Sequence, residues 1–579
     1  MRRRFESALV PAHDILLRHV SGVAPLQIIF LALAFLMFVL LTFVVGVTSA
    51  WAQDASTGAL RGSVLDAQGA AVTNADVVAI CVETGVRYHT ATDVAGRFVV
   101  DLLPPGNYSA RAEAEGMSPQ ISPLIKVEVG AAQRLTFNMT VAGPKETVTV
   151  SGVPPLVDTS PSGPSALLDE SAIVNLPLSG RRFTDLALLT PGVTQDPRGL
   201  TSGSNGDLSY GGIRGYNTSY MVDGTDDNNG FFAQARGRYR APYQFSNEVV
   251  QQFRVSSNSY GAESGRSGGA VVNVVTKSGS NSWHGSAFYY LRDSSVGGAA
   301  PPFVGFNPSG QQHQFGGTVG GPIERNKMFF FAGYDQHIFH LPTVVEFENG
   351  QMSVVPQFGT PGAPGDYEVC DPHIGGSACD QTLVAGAAAL LSQQGGTFPA
   401  TMLGNTGFLK IDRVLGARNL LAARLSTSRY YGTNNVFLDP SSPVTNDALS
   451  GNGQEQVRTE SAALTLTSSL SPRWTSHLRA QFSWDLQQSF PNSTAPRAEI
   501  YNWIADMGES SILPRQTREH RLHLAETMSF SRGRHESKFG APGIRWSCRP
   551  APDPRRPPSP QKNAPAHRPI LPRSHPDIR

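Results

Sequence analysis

Hydrophobic positions recur along most of this chain with a period of two. Trp283, Gly285, Ala287, Tyr289 and Leu291 share one side of an extended segment, and the alternation returns over 312–323, 327–339, 407–414, 420–428, 461–469, 474–486, 519–530 and 534–539. A period of two puts alternate side chains on opposite faces of a sheet, so these segments are predicted as about nine strands. Gly320–Pro322 and Glu324–Asn326 predict a tight hairpin, whereas 341–405 and 430–458 are long Gly/Pro/Asn-rich connections. Aromatic residues crowd the strands at Phe329, Phe330, Phe331, Tyr334, Phe482 and Trp484. Interfacial aromatics, short turns at one end and long loops at the other are the pattern of a transmembrane β-barrel.

Upstream the pattern is finer. Residues Thr57 to about Val141 alternate short strand-like runs with turns at Asp66–Gly69, Thr84-Gly85, Asp93–Gly96 and Pro104–Asn107, which predicts a small β-sandwich. Val77, Ala79 and Cys81 are expected to face Phe98 and Val100 across its core, with Tyr108 capping one end. Residues 165–282 read as a mixed α/β unit: a short helix from Asp169 to Asn175, a turn at Pro177–Gly180, a second helix from Arg181 to Leu189, then a β-branched run from Ala270 to Thr276. Between the two units, Glu146, Thr147, Val148, Thr149 and Val150 form an extended segment with Pro-rich flanks. At the start, Arg2, Arg3, Arg4 and Arg18 precede an apolar run from Ile28 to Val47 and the triplet Ala50-Trp51-Ala52. This is the layout of a secretory signal peptide cleaved before Gln53; its rival is an uncleaved inner-membrane anchor.

Composition narrows the class. Charged residues make up 16% of the 579 positions and glycines number 58, against roughly 25% charge in ordinary soluble domains. The formal net charge of +1 offers no basic patch for nucleic acid. There is no C-x-x-C; Cys370 and Cys379 bracket a turn-rich stretch and are candidates for a small disulfide in an oxidising compartment, the other reading being two separate thiols. After Gly540 alternation gives way to Pro and Arg, so 541–579 reads as an aberrant tail, a frameshifted or misassembled gene end being preferred to a disordered one. An open sheet edge in lipid is costly, which leaves in doubt whether a short barrel inserts alone.

No motif here demands catalysis. Gly265-Arg266-Ser267-Gly268-Gly269 satisfies G-x-S-x-G, but a strand follows it rather than the helix a nucleophile elbow requires. Asp223 to Asn229 is rich in carboxylates, yet the twelfth position counted from Asp223 is Gln234, where a calcium loop needs Glu. His337 and His340 sit three apart on a strand and point to opposite faces. Arg181, Arg182 and Asp185 are candidates for an internal ion pair. No enzyme, cofactor or metal site is expected.

The opening of the sandwich, with its TG-x-L-x-G-x-V-x-D-x-x-G pattern from Thr57, and its close, G-R-F…L-P-P-G-x-Y, resemble the carboxypeptidase regulatory-like domain, which implies a transthyretin-like fold. The run Arg-Arg-Phe-x-Asp-Leu…Thr-Pro-Gly-Val, with IRGYNTSYMVDG and QQFRV…GRSGGAVVNVVTKSG, resembles the plug domain of TonB-dependent receptors of the Oar-like type. That resemblance implies a mainly β chain: signal peptide 1–52, sandwich 53–142, linker 143–164, plug 165–282, the N-terminal part of an outer-membrane antiparallel barrel 283–540, and the tail 541–579. A complete barrel of this kind has roughly twenty-two strands. In this setting Glu146–Val150 looks like a TonB box, the alternative being a last sandwich strand plus linker. The resemblance implies substrate contact at the plug apex, with Asp223, Asp226, Asp227, Asn228, Phe231 and Arg236 as candidates. Its implied partners are the TonB–ExbB–ExbD complex, outer-membrane lipid and an unidentified siderophore, oligosaccharide, peptide or protein. The alternative function is an exported periplasmic or surface binding protein that does not transport.

Overall fold

A computed structural model describes residues 56–141, 148–149, 165–176, 183–195, 208–213, 217–229, 246–256, 267–293, 310–340, 342–345, 389, 393–416, 418–434, 444–445, 448–500, 505–509, 513–532 and 535–550. The leader, Cys370 and Cys379, Phe231 and Arg236, the side chains of Arg181, Arg182 and Asp185, and 551–579 lie outside that description.

The first unit comprises β1 (Gly58–Asp66), β2 (Asp76–Cys81), β3 (Arg87–Ala91), β4 (Arg97–Leu103), β5 (Gly106–Glu113), β6 (Gln120–Ile121), β7 (Ile125–Val127), β8 (Ala132–Met139) and β9 (Val148–Thr149). One sheet runs β4-β1-β8 and the other β3-β2-β5-β6-β9, with β7 also on β5. The expected core is present: Val77, Ala79, Cys81, Phe98, Val100 and Tyr108 are all buried in one apolar cluster. Tyr108 ends that core with its hydroxyl donating to the Pro104 carbonyl at 2.8 Å, which satisfies the polar end of a buried ring.

The second unit contains β10 (Ser165–Asp169), α1 (Glu170–Asn175), β11 (Val193–Gln195), β12 (Leu208–Tyr210), β13 (Ser219–Val222), β14 (Thr225–Asp226), β15 (Val250–Ser256) and β16 (Val271–Thr276). Five of its strands form one sheet in the order β10-β15-β16-β13-β14. Asp169 caps α1 by accepting from the Ala172 amide at 3.1 Å, a favoured use of Asp at a helix start. The second expected helix is a 3-10 turn over Phe183–Leu189. All six residues of β16 are buried, which explains its unbroken β-branched run.

Beyond these lie β17 (His284–Asp293), β18 (Gln311–Glu324), β19 (Met328–His340), β20 (Thr343–Val345), β21 (Gly396–Phe398), β22 (Thr401–Leu415), β23 (Asn419–Thr433), β24 (Val444–Thr445), β25 (Gly453–Ser471), β26 (Trp474–Pro491), β27 (Ala498–Ile500), β28 (Ala505–Met507), β29 (Arg515–Arg532) and β30 (His535–Pro550). Nine of them build one antiparallel sheet, β17-β18-β19-β22-β23-β25-β26-β29-β30, which does not close on itself. Short connections at 325–327, 416–418, 472–473 and 533–534 lie at one end; 294–310, 341–400, 434–452 and 492–514 lie at the other.

The two faces of this sheet are inverted relative to a water-soluble protein. Along β26 His477, Arg479, Gln481, Ser483 and Asp485 are buried while Leu478 and Phe482 are exposed; along β29 Glu519, Arg521, His523, Thr527 and Ser529 are buried while Leu522 and Leu524 are exposed. Polar residues inside and apolar ones outside describe a wall that faces hydrocarbon. The inner face also packs on the second unit, whose apolar cluster runs on into Phe331 and Phe408 of the wall.

The structure corrects the sequence reading at the C-terminal end. β30 does not stop at Gly540; it continues in register through Pro542↔Ala525 to Pro550↔Thr517. This last strand is paired on one side only, and an edge position is where a proline lacking its N–H is tolerated.

Candidate functional site

Four of the residues expected to contact substrate, Asp223, Asp226, Asp227 and Asn228, lie on or beside a hairpin held against the barrel wall. β13 and β14 pair as Val222↔Thr225, and the two residues between them, Asp223 and Gly224, have φ of 47° and 72°. Asp-Gly with both φ positive is the two-residue turn that suits the twist of a hairpin. A side chain at Gly224 would also strike the Arg479 Nη1, 2.7 Å from its Cβ position.

Four cations of the wall surround this hairpin. Asp223 Oδ2 accepts from Arg424 Nη1 at 2.8 Å and from the Thr276 hydroxyl at 2.8 Å, while its Oδ1 accepts from the Thr276 amide at 2.8 Å. Arg424 Nη2 donates to the Thr225 hydroxyl at 3.0 Å. Arg479 donates to the Gly224 carbonyl at 2.9 Å and to Thr527 at 2.9 Å. Arg521 donates to the carbonyls of Asp226 and Asn228 and pairs with the Asp226 carboxylate at 3.3 Å. Lys410 donates to the Thr276 carbonyl and hydroxyl, both at 3.2 Å. Burial pushes the Asp223 carboxyl up, but Lys410, Arg424 and Thr276 outweigh it and leave it below the usual carboxylate range. Nearby Tyr220 is pushed up to about 12 by burial.

Of the six expected contact residues, Asp223, Asp226, Asp227 and Asn228 therefore serve this clamp or its core. Asp227 and Asn228 are 1% and 2% exposed, and Asn228 bridges the backbone of Tyr220 from both ends of its amide. The physical reason is electrostatic: a carboxylate-rich turn enclosed by a wall is stable only beside cations. The wall residues Lys410, Arg424, Arg479 and Arg521 went unrecognised in the sequence. Their one signal is a cation at an inward position of an alternating strand.

The remaining motifs have structural uses. Ser267 of the G-x-S-x-G run donates to the carbonyls of Asn217 and Ala270 at 3.1 and 2.7 Å. His337 is buried and His340 exposed, as opposite faces require. Among the described residues no group of three His, Cys, Asp or Glu side chains could hold a metal ion. Val148 and Thr149, the described part of the Glu146–Val150 segment, pair in parallel with Gln120 and Ile121 of the sandwich.

Three units meet at the short-turn end of the wall. The Val129 amide donates to Gln252 Oε1 at 2.9 Å, and Arg254 donates to the Val129 carbonyl. Lys126 pairs with Asp169 at 2.9 Å. Asn281 donates to the Thr84 carbonyl at 2.7 Å and to Asn326 Oδ1 at 2.8 Å, linking the sandwich to the first hairpin of the wall. These contacts border an open cleft of about 810 Å³, lined by Tyr88 and Glu83 of the sandwich, Asp223 and Lys277 of the second unit, and Asp412 and Arg424 of the wall, among others.

Residues 59–140 match the carboxypeptidase regulatory-like domain and residues 275–551 match the outer membrane beta barrel domain. Over 297 residues the chain is 30% identical to the TonB-dependent transporter Oar of Myxococcus xanthus, covering 48% of this chain and 27% of that protein. The chain thus spans about a quarter of the length of this curated relative. Among solved structures it is similar to the outer membrane transporter YddB of Escherichia coli (12% identity, 66% of this chain and 48% of that one, TM-score 0.45). It is also similar to the siderophore receptor PirA of Acinetobacter baumannii (13% identity, 66% and 57%, TM-score 0.33). The chain thus carries a carboxypeptidase regulatory-like domain and an outer membrane beta barrel domain, and over about half of its length it is similar to the TonB-dependent transporter Oar.

Proposed function

We propose that this chain is the receptor and plug-bearing portion of a TonB-driven uptake system, with 165–282 as its plug. The observation that carries the reading is the inverted wall, polar inside and apolar outside, clamped by Lys410, Arg424, Arg479 and Arg521 onto a separate inner sheet. A sheet of this kind makes a path through lipid, and the clamped inner sheet closes it. Opening requires work on the inner sheet, which a periplasmic TonB, energised with ExbB and ExbD, would supply by adding its own strand to Glu146–Val150. The substrate is an outer-membrane solute of unassigned class, handled by transport rather than by chemistry. Export through the N-terminal leader is part of the same proposal.

The test is direct binding of the purified periplasmic domain of TonB to the chain in detergent. Saturable binding that disappears on deletion of 146–150 is the expected result; binding unchanged by the deletion removes the TonB-box assignment. A second reading, an exported binding protein without transport, is favoured by one observation: Val148 and Thr149 already complete a sheet of the sandwich. Under that reading TonB does not bind the intact chain.

A further inference from the structure

The short connections of the wall, 325–327, 416–418, 472–473 and 533–534, lie together at one end. Each has an exposed arginine in it or beside it: Arg325, then Arg413 and Arg418, then Arg473, then Arg532. In sheet order these hairpins are β18-β19, β22-β23, β25-β26 and β29-β30, so each is roughly 10 Å from the next. None of the five guanidinium groups has an ion-pair partner among the described residues, whereas Lys327 in the first turn is held by Glu324.

Strand register fixes the depth of this row against the apolar face. Lys410 and Asp412 of β22 are buried on the inner side, so Arg413 is on the outer side, between Ile411 and the 38%-exposed Leu415. It emerges from an apolar strip rather than from a hydrated loop. Its cross-strand neighbour is Met328, two residues from Phe330, whose ring meets the exposed Trp283 edge-on at 5.5 Å. Trp474 and Phe530 face each other across their strands with ring centroids 4.6 Å apart. Arg473 lies one residue beyond Trp474 and Arg532 two residues beyond Phe530, both towards the turns. These three arginines thus stand within roughly 7 Å of an aromatic pair along the strand. Aromatic rings collect at the headgroup level of a bilayer, and long cationic side chains reach to the same level from apolar surface. A guanidinium fork also grips a phosphate through two parallel hydrogen bonds. A soluble acidic partner could meet the turns but not Arg413, which opens onto the face that hydrocarbon covers.

We propose that this rim binds the headgroups of anionic phospholipids in the leaflet at the short-turn end, the periplasmic one in barrels of this kind. The inference needs the wall to face lipid and does not depend on the TonB reading. The experiment puts the purified full chain in non-ionic detergent micelles doped with brominated phosphatidylglycerol or brominated phosphatidylcholine. Quenching of its tryptophans, Trp283 and Trp474 among them, is followed against lipid mole fraction. Phosphatidylglycerol is expected to quench at a mole fraction at least about fivefold lower, the effect of one basic residue at an anionic surface. The preference should vanish when Arg413, Arg473 and Arg532 are all changed to Gln, and persist when all three are changed to Lys. If the triple Gln variant fails to fold by circular dichroism, Arg532→Gln alone carries the test and should lower the preference severalfold. Equal quenching by the two lipids overturns the proposal, as does a preference that the Gln substitutions leave unchanged. So does a preference lost when sodium phosphate replaces sodium chloride at equal ionic strength, which would assign the row to free phosphate. No quenching by either lipid overturns the lipid-facing wall along with the rim.

Discussion

Asp223 shows how much a single carboxylate can hold. Its two oxygens take three hydrogen bonds from Thr276 and Arg424, and both partners of the ion pair are largely buried. Asp223→Asn therefore leaves the Arg424 guanidinium without its counter-charge, and the expected loss is about 3–5 kcal/mol, read by urea unfolding in detergent. Replacing both residues, Asp223→Asn with Arg424→Met, is expected to recover part of that loss, because the stranded charge goes too. At the sandwich, Asp169 is held below the usual range by the Lys126 hydrogen bond and the Ala172 amide, while Lys126 is raised by Asp169. The depressed carboxyl contributes above its unfolded value near about pH 4 and is lost as pH falls through the folded one; the raised ammonium contributes below about 10.4 and is lost as pH rises past it. Hydrogen exchange at β7, corrected for intrinsic rates, should accordingly show docking loosened by acid below about pH 4 and unchanged through neutrality. Of the site around Asp223, only the carboxylate-rich run from Asp223 to Asn229 was legible in advance. Its arginine partners lie some two to three hundred residues away along the chain, and no local pattern can announce them.

At the scale of the element, alternation located all nine strands of the wall because one face meets water and protein and the other does not. It understated their lengths: β25 runs from Gly453 to Ser471 and β26 from Trp474 to Pro491, well beyond the roughly 9–11 residues that cross a bilayer. The extra length lies at the ends, where polar residues occupy both faces and the period fades. β30 was cut short for a similar reason, since Pro542 and Pro550 look like breakers unless the strand is known to be an edge. The faces make opposite predictions for adjacent positions. Phe482→Arg, in mid-strand on the outer face, should cost about 2–4 kcal/mol in lipid. Gln481→Ala, one step away on the inner face, should be near neutral, because both polar atoms of that amide lack a partner among the described residues. Unfolding in phospholipid vesicles measures both.

For the whole molecule, the decisive fact is that the sandwich is docked rather than tethered. Val129, Pro105, Thr84 and Lys126 each engage the second unit or the loop that leads into the wall. Arg254→Ala removes the bond to the Val129 carbonyl and should speed protease cleavage within 142–164, with the sandwich itself intact on the gel. Composition and turn spacing told of three units; they could not tell of this docking, in which single side chains of the second unit and the following loop reach backbone groups that any sequence offers, joined by the Lys126–Asp169 pair.

β9 contributes two residues to its sheet, whereas β1 and β8 run side by side over eight paired positions from Ala59↔Ala132 to Asp66↔Met139. Placed in series under tension, these are links of very unequal strength. A tug applied at 146–150 would peel the short contact first and leave the long one standing. In a single-molecule stretching experiment the first event should be a small, low-force lengthening, well separated from the rupture that follows. Under the proposed pull by TonB, such an arrangement amounts to a free stroke: a distance a motor travels before it begins to do work on the inner sheet.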